Sequence, residues 1–301
     1  MKVAYLILAH HQPVHLARLV ERINAHWADI FIHIDRKVVL DDFRRAVNCA
    51  NSRMTFLEGA QRVKVSWGGF SMVRATLNLL EAALRCSEPY DRFCLLSGAD
   101  FPIKNNAAIY EQFCSNTEFM RIDRKVGYGE TTSHSGNISR LWFFDEPYPI
   151  RKLLSGRFHR RPYQKLTFYH GSSWWCLTRA CVEQIMHYLE ENPDFALFHS
   201  RVLSPDEIFF HTLVKNLPFA DRINHDFARS AGNAPQMPNE HGCHYIDWGD
   251  KPAASPKILD LDDYDRLVNS PALFARKFDE KFSRSLLEKL QGNYIKMTTK
   301  T

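Results

Sequence analysis

The chain lacks a long apolar run. Its longest one near the amino terminus, Val3 to Ala9, has seven residues and leads into His10 and His11, whereas a membrane-spanning helix needs about 20 residues. No small-residue cleavage site follows this run, so a secretory signal peptide is not indicated. We therefore expect a cytoplasmic protein.

Several signature motifs are also missing. The seven cysteines are an odd number without CxxC spacing, and several lie in apolar segments, which predicts reduced structural thiols. Neither a P-loop nor a GxGxxG fingerprint is present, which argues against P-loop kinases and nicotinamide dehydrogenases. The 45% hydrophobic and 24% charged residues are typical of an ordinary globular protein.

The net charge of +5 is modest, but basic residues cluster in one segment. Six of them lie between Arg151 and Lys165. A solvated loop explains such a cluster, and so does a surface for an anionic membrane or an anionic acceptor. We expect peripheral contact with the inner face of the plasma membrane as one possibility, and no nucleic-acid partner.

The first hundred residues predict an α/β fold with a mostly parallel sheet, because short apolar runs alternate with amphipathic stretches. Helical spacing of apolar residues is clearest from Phe70 to Leu84. The predicted strands are Val3–Ala9, Ile30–Ile34, Met54–Leu57 and Phe93–Leu96.

The rest of the chain is less regular. Residues 127–164 are rich in Gly, Ser, Arg and Pro and are predicted to form long loops with one or two strands. Later predicted elements are a strand at Trp174–Leu177, a helix at Arg179–Glu191, a helix opening at Ser204, a polar stretch at Ala231–Glu240, a strand near Tyr245, and helices from Asp262 and Asp279. Without a repeat or linker, we expect one domain over 1–301, with a nucleotide-binding half (1–125) and an acceptor-binding and catalytic half (126–301).

Candidate binding residues follow the predicted strands, where doubly wound sheets bind ligands. They are His10 and His11, His33 and Asp35, and the Ser97 to Asp100 segment. Asp35 suits a uracil or ribose contact, or a helix cap. The histidines with Asp35 could also be drawn as a metal site, but their spacing does not support one.

Three later segments carry further candidates. Ser204, Pro205 and Glu207 have the pattern of a helix capping box, which favours a structural role for Glu207, and the functional alternative is that its carboxylate acts as a general base. Arg276 and Lys277 stand between aromatic residues and could neutralise a diphosphate or form solvated surface. Trp174 and Trp175 could bind a sugar ring or belong to the core.

Taken together, collinear segments resemble the core-2/I-branching N-acetylglucosaminyltransferase family, which includes the peptide O-xylosyltransferases. The matching segments are Tyr5 to His10, His33 to Lys37, Trp67 to Gly69, Leu96 to Pro102, Gly171 to Trp175, Pro205 to Thr212, Tyr245 to Trp248 and Phe274 to Phe278.

This resemblance implies a GT-A type fold and inverting, metal-independent transfer from a UDP-sugar. It matches Glu207 with the catalytic base, and Lys277 and Arg276 with the cations that hold the diphosphate. A second diphosphate cation has only Lys251 and Lys257 as candidates. The remaining implied contacts are nucleotide-sugar binding by His10, Asp35, Trp67, Gly68, Ser97 and Asp100, and acceptor binding by Ser173, Trp174, Trp175 and Trp248.

Animal members of this family carry a signal anchor and luminal disulfides, and the sequence indicates neither, so we expect a bacterial member that transfers N-acetylglucosamine or xylose to a glycan or lipid-linked glycan during surface polysaccharide synthesis. A non-catalytic sugar-nucleotide or glycan-binding module is the alternative. A glycoside hydrolase is disfavoured, because it needs paired carboxylates and the sequence shows no obvious second one beside Glu207.

Overall fold

The amino-terminal part of the fold alternates strands with helices. The computed structural model describes residues 1–128, 135–229, 239–249 and 255–298. Four strands come first, β1 (Val3–Ala9), β2 (Ala28–Ile34), β3 (Met54–Phe56) and β4 (Arg92–Ser97), with helices α1 (Pro13–Ile23), α2 (Leu40–Ala46) and α3 (Ser71–Leu84) between them. The four predicted strands and the predicted helix at Phe70–Leu84 are confirmed, with ends that shift by two residues or fewer.

These four strands form a parallel unit in the order β3-β2-β1-β4. Side chains of β1 alternate between two cores: Ala4 and Leu6 pack towards α3, and Tyr5 and Ile7 pack towards α1. Both faces of the sheet are therefore covered by helices, which explains why the strands read as continuous apolar runs.

The rest of the described chain contributes eight strands and eight helices. They are β5 (Asp100–Pro102), α4 (Asn106–Phe113), β6 (Glu118–Val126), α5 (Ser135–Ser139), α6 (Tyr148–Leu154), β7 (Phe168–Gly171), β8 (Cys176–Thr178), α7 (Arg179–Glu191), α8 (Pro193–His199), α9 (Phe209–Asn216), β9 (Ile223–Asp226), β10 (Glu240–His241), β11 (His244–Ile246), α10 (Tyr264–Asn269), β12 (Phe274–Arg276) and α11 (Arg284–Thr298).

Among the described residues, two sheets form. The larger continues from β4 through β8, β6 and β7, and β9 pairs with β6. Antiparallel pairing begins at β4 and β8, so the sheet is mixed and contains strands from both predicted halves of the chain. The smaller sheet has the order β10-β11-β12-β5 and packs on α10 and α11 through Phe101, Tyr245 and Leu287.

Some predicted elements need correction. The described part of 127–164 contains two short helices, α5 and α6, and one isolated β-bridge between Arg140 and His159 in place of the expected strands. The closing helix begins at Arg284, not Asp279, because the Asp279 carboxylate accepts hydrogen bonds from the amides of Lys281 and Phe282 and holds a turn there.

The helix predicted from Asp262 begins at Tyr264, after a 3-10 turn whose capping box joins Asp260 and Asp263. The predicted strand near Tyr245 is confirmed as β11, whereas most of the polar stretch 231–240 lies outside the described residues.

Candidate active site

The carboxyl ends of β1, β2 and β4 open into a cleft of about 710 Å³. His10 follows β1, Asp35 follows β2 and Ser97 ends β4, and all three line the cleft, as expected for a ligand site on a parallel sheet. Seven other predicted site residues also line it: Trp67, Ser173, Trp174, Glu207, Trp248, Arg276 and Lys277. Gly68, Asp100 and Trp175 do not.

Glu207 ends a 3-10 turn, Pro205–Glu207, that precedes α9. The predicted capping box at Ser204 is wrong. Ser204 adopts a left-handed conformation with φ of 49° and its side chain caps nothing, whereas an N-cap needs extended backbone. Its amide donates to the Gly68 carbonyl oxygen at 3.0 Å, and the Glu207 carboxylate points to a different partner.

That partner is His170, which lies between two carboxylates. Its Nε2 is 3.3 Å from Glu207 Oε2 and its Nδ1 is 3.3 Å from Asp123 Oδ2. Arg121 Nε in turn donates to Asp123 Oδ1 at 2.6 Å. Burial opposes charging of the imidazole, but the hydrogen bonds with Asp123 and Glu207 outweigh it and raise the pKa of His170 to about 9. At neutral pH an imidazolium therefore holds Glu207.

A further acid, Asp206, lies beside Glu207. Its Oδ2 accepts a hydrogen bond from Ser173 Oγ at 2.8 Å. Burial, and then repulsion from the Glu207 carboxylate, raise the pKa of Asp206 to about 6. Two further carboxyl groups of the cleft, those of Asp123 and Asp206, thus lie near Glu207, which corrects the expectation that no second one lies beside Glu207.

A short backbone segment, residues 170–173, supports both acids of the 3-10 turn. His170 holds Glu207 and Ser173 holds Asp206. The segment is fixed from behind, because His211 Nε2 lies 2.8 Å from the Ser172 carbonyl oxygen. Gly171 is required here, since a Cβ at this position would overlap the Arg121 carbonyl oxygen of β6.

The cleft also carries cations. Arg276 ends β12 and pairs in register with Asp100 of β5. Its guanidinium carbon lies 4.0 Å from the Trp174 ring centroid, and its Nε is 3.5 Å from Asp100 Oδ1. Arg276 Nη1 is buried without a hydrogen-bond partner among the described residues. Lys277 follows and also lines the cleft. A buried donor that faces a cleft without a partner suits an anionic ligand.

Asp100 supports this cation and does not itself face the cleft. It is fully buried, and its Oδ2 accepts from the Ser97 amide at 2.7 Å and lies 3.2 Å from His244 Nε2. Asp100 therefore does not line the nucleotide-sugar pocket as predicted, and instead it holds Ser97 and Arg276, which do line the cleft.

The two candidates for a second diphosphate cation fare differently. Lys257 Nζ lies 2.8 Å from both carboxylate oxygens of the buried Asp263 and does not line the cleft. Lys251 lies outside the described residues. Lys37, which sequence reasoning did not select, does line the cleft, with its Nζ 3.3 Å from Asp35 Oδ2.

The four tryptophans predicted to lie in the site differ in how exposed they are. Trp67 and Trp248 are 73% and 42% exposed, so their rings are accessible to a ligand. Trp175 is fully buried, with its ring centroid 5.0 Å from that of Phe210. Its predicted acceptor contact is not possible in this structure. Trp174 is mostly buried and lies against the Arg276 guanidinium.

Sequence reasoning missed Asp123 and His170. Asp123 lies in β6, which showed no clear period, and His170 directly precedes the Gly171 to Trp175 motif. The available signal for His170 was its position directly before the family-matching segment Gly171 to Trp175. Lys37 likewise lies inside the family-matching segment His33 to Lys37.

Within the described ranges, no helix combines the length and apolar character needed to cross a bilayer. The seven cysteines all fall within these ranges and are free thiols.

Comparison with known proteins identifies relatives over almost the whole chain. Xylosyltransferase 2 of Rattus norvegicus is 26% identical over 98% of this chain and 34% of its own length. Xylosyltransferase 1 of Homo sapiens is 25% identical over 98% of this chain and 31% of its own length. The chain thus spans about a third of the length of these curated relatives.

Among solved structures, mouse Xyloside xylosyltransferase 1 in its apo form matches 75% of this chain and 85% of that chain, with 11% identity and a TM-score of 0.33, a likeness too low to bear on function. The profile of the Core-2/I-Branching enzyme family matches residues 3–268. The chain therefore belongs to the Core-2/I-Branching enzyme family of glycosyltransferases.

Proposed function

We propose that the chain transfers a sugar, N-acetylglucosamine or xylose, from a UDP-sugar to a hydroxyl of a glycan acceptor, with inversion and without a metal ion. One observation carries the proposal. A partly exposed carboxylate, Glu207, and the cations Arg276 and Lys277 line the same cleft. A displacement at a sugar carbon needs these two kinds of charge, a base for the incoming hydroxyl and cations for the departing diphosphate.

Glu207 is the base in this mechanism. His170 holds Oε2, while Oε1 has no hydrogen-bond partner among the described residues, so Oε1 can accept the acceptor's hydroxyl proton. As that proton transfers, the hydroxyl oxygen forms a bond to C1 of the donor from the face opposite UDP. The bond between C1 and the β-phosphate oxygen breaks, and UDP departs with the electron pair. One displacement inverts the centre.

Arg276 and Lys277 stabilise the departing diphosphate. Charge on the leaving oxygen grows in the transition state, so cations held in place act more strongly there than on the bound donor. Trp174 keeps the guanidinium plane fixed on one face and Asp100 fixes its Nε edge. Nη1, which is buried without a hydrogen-bond partner among the described residues, is then available to phosphate oxygens.

Metal independence is supported by the way Asp100 is used. Metal-dependent GT-A enzymes hold their ion with an Asp-x-Asp element after a central strand. Here the strand β4 is followed by the single carboxylate of Asp100, whose oxygens already contact Ser97, His244 and Arg276. These contacts compete with ligation of a cation, and the fixed positive charges take over its role.

The acceptor side comprises Ser173, Asp206 and the exposed ring of Trp248. A carboxyl group with a pKa of about 6 can accept a hydrogen bond from a sugar hydroxyl when ionised, and an indole face suits the apolar face of a pyranose. We place the reaction in bacterial surface polysaccharide synthesis, such as that of capsule, lipopolysaccharide or exopolysaccharide, at the cytoplasmic side. Free thiols at all seven cysteines suit that reducing compartment.

The test is incubation of the protein with radiolabelled UDP-N-acetylglucosamine and UDP-xylose, with and without a panel of glycan acceptors. Acceptor-dependent release of UDP and label in a product of inverted configuration supports the proposal. Binding of donor without turnover would indicate the binding module. Cleavage of glycosides without UDP would indicate a hydrolase that uses Glu207 with Asp123 or Asp206.

A further inference from the structure

The segment from Tyr148 to Arg161 exposes large apolar side chains that nothing in the proposed reaction uses. Tyr148, Ile150, Leu153 and Phe158 are 62%, 42%, 58% and 51% exposed. They are four of the twelve large hydrophobic residues that are exposed among the described residues, yet they lie within eleven consecutive positions. Such concentration distinguishes a functional patch from scattered surface residues.

Basic side chains are interleaved with these apolar ones. Residues 147–165 contain six Lys or Arg and no Asp or Glu. Lys152, Arg157 and Arg161 are exposed and have no carboxylate partner among the described residues. We call Tyr148, Ile150, Leu153, Phe158, Lys152, Arg157 and Arg161 the basic apolar patch.

The patch is attached to the rim of the cleft. Asp145, just ahead of α6, accepts hydrogen bonds from the amide and hydroxyl of Ser71 at 3.0 and 2.5 Å, where α3 begins. A Cβ on Gly68, next to the exposed Trp67, would lie 3.3 Å from Phe144. A surface bound by the patch would therefore lie near the wall of the cleft that carries Trp67.

We propose that the basic apolar patch docks the protein on an anionic lipid surface. Exposed aromatic and aliphatic side chains can enter the headgroup and acyl boundary while arginine and lysine pair with anionic headgroups. A second copy of the chain fits less well, because a symmetric contact would bring unpaired cations of both copies together. A nucleic acid would use the cations and aromatic rings but gains little from exposed Ile150 and Leu153.

This inference goes beyond the proposed reaction and does not depend on it, because vesicle binding needs neither donor nor acceptor. Lipid-linked glycans are the acceptor class that a docked cleft would reach.

The experiment measures co-sedimentation of the full chain with phosphatidylcholine vesicles, with and without phosphatidylglycerol, at low and high salt. We expect binding only to the anionic vesicles and a loss of binding at high salt. Arg157→Gln with Arg161→Gln should lower the partition coefficient about 30-fold, which is about fivefold for each of the two cations. Leu153→Ser with Phe158→Ser should lower it about tenfold or more, because apolar area no longer enters the interface.

The matched control is Lys281→Gln with Phe282→Ser. Phe282 is 64% exposed and Lys281 lies over its ring, so one cationic and one apolar side chain change at another surface. This control should bind vesicles as the unchanged chain does, and all variants should keep its unfolding temperature.

Equal binding to neutral and anionic vesicles, or an equal loss in the control, would overturn the proposal. So would a dimer in analytical ultracentrifugation that only the patch variants dissociate, combined with no vesicle binding. Retention of single-stranded nucleic acid in place of vesicles would also overturn it. Failure of sugar transfer with intact anionic vesicle binding would reject the proposed reaction and leave the docking surface standing.

Discussion

Replacement of Asp123 with asparagine removes one of the two carboxylates beside His170 while it keeps the side-chain shape. Burial alone would lower the pKa of His170, but the hydrogen bonds with Asp123 and Glu207 raise it from 6.5 to about 9. At about 1.36 kcal/mol per pKa unit, a difference of about 2.5 units corresponds to about 3 kcal/mol of stability. Because the folded state binds this proton more tightly, the contribution is complete below about pH 6.5 and is lost as the pH rises through about 9.

The Asp123→Asn variant should lose a charged hydrogen bond worth about 1.5–3 kcal/mol, which lowers the pKa of His170 by about 1–2 units. Its alkaline loss of stability should then occur at about pH 7–8. The alkaline limb of kcat/KM should shift with it, since the imidazolium positions Glu207. Arg121 keeps its hydrogen bond to the Glu240 carbonyl oxygen at 3.0 Å, so the strand β6 should hold its place.

Urea unfolding and initial transfer rates, both measured between about pH 6 and 10, check this reasoning. Asp206 and His211 also interact electrostatically with His170, and they are common to both proteins. Asp194→Asn is the matched control, because this carboxylate is 49% exposed and pairs with Lys165 at the surface. It should change stability by less than about 1 kcal/mol without moving the alkaline limb. An alkaline limb that stays at about pH 9 in Asp123→Asn refutes the assignment to His170.

Three further outcomes concern the reaction itself. Glu207→Gln should bind UDP normally in calorimetry and lose transfer by about 100-fold or more, since general-base catalysis contributes at least that much. If most of the turnover survives, Glu207 has a structural role and is not the base. Lys277→Ala should weaken UDP binding by about 2–3 kcal/mol and leave uridine binding unchanged, whereas equal losses for both ligands would assign the lysine to the fold. Transfer should persist in EDTA, and activity that chelation abolishes and manganese or magnesium restores would contradict the proposed mechanism and direct attention to Asp35 and Asp100 as ligands.

The parallel half of the fold was predictable because it depends on local patterns. β1, β2 and β4 are buried on both faces, so each appears in the sequence as an apolar run. Residues just after these strands then reach the cleft by topology alone, which is why His10, Asp35 and Ser97 were found. Among the antiparallel strands, β8 was predicted at Trp174–Leu177, whereas β6 was not predicted. β6 ends with exposed Arg124 and Lys125, so neither alternation nor a continuous apolar run marks it.

The contacts inside the site were harder to predict from the sequence, because they join segments that are far apart along the chain. His170 and Asp123 are 47 positions apart in sequence and meet only through the pairing of β6 with β7. Ser204 showed the pattern of a capping box, yet its backbone amide bonds to Gly68, 136 positions earlier. Trp174 and Trp175 are adjacent, and only the strand that they approach decides which ring reaches the cleft and which fills the core.

The backbone of residues 170–173 affects how the carboxyl groups of Asp206 and Glu207 can move. His170 contacts Glu207 and Ser173 contacts Asp206. His211 of α9 in turn contacts the Ser172 carbonyl oxygen of the same segment. A shift of this four-residue segment would move the hydrogen-bond partners of both carboxyl groups, so Asp206 and Glu207 would be displaced together. In the proposed reaction, the acceptor hydroxyl would therefore meet a base and a neighbouring acid that one backbone segment already holds before the substrate binds.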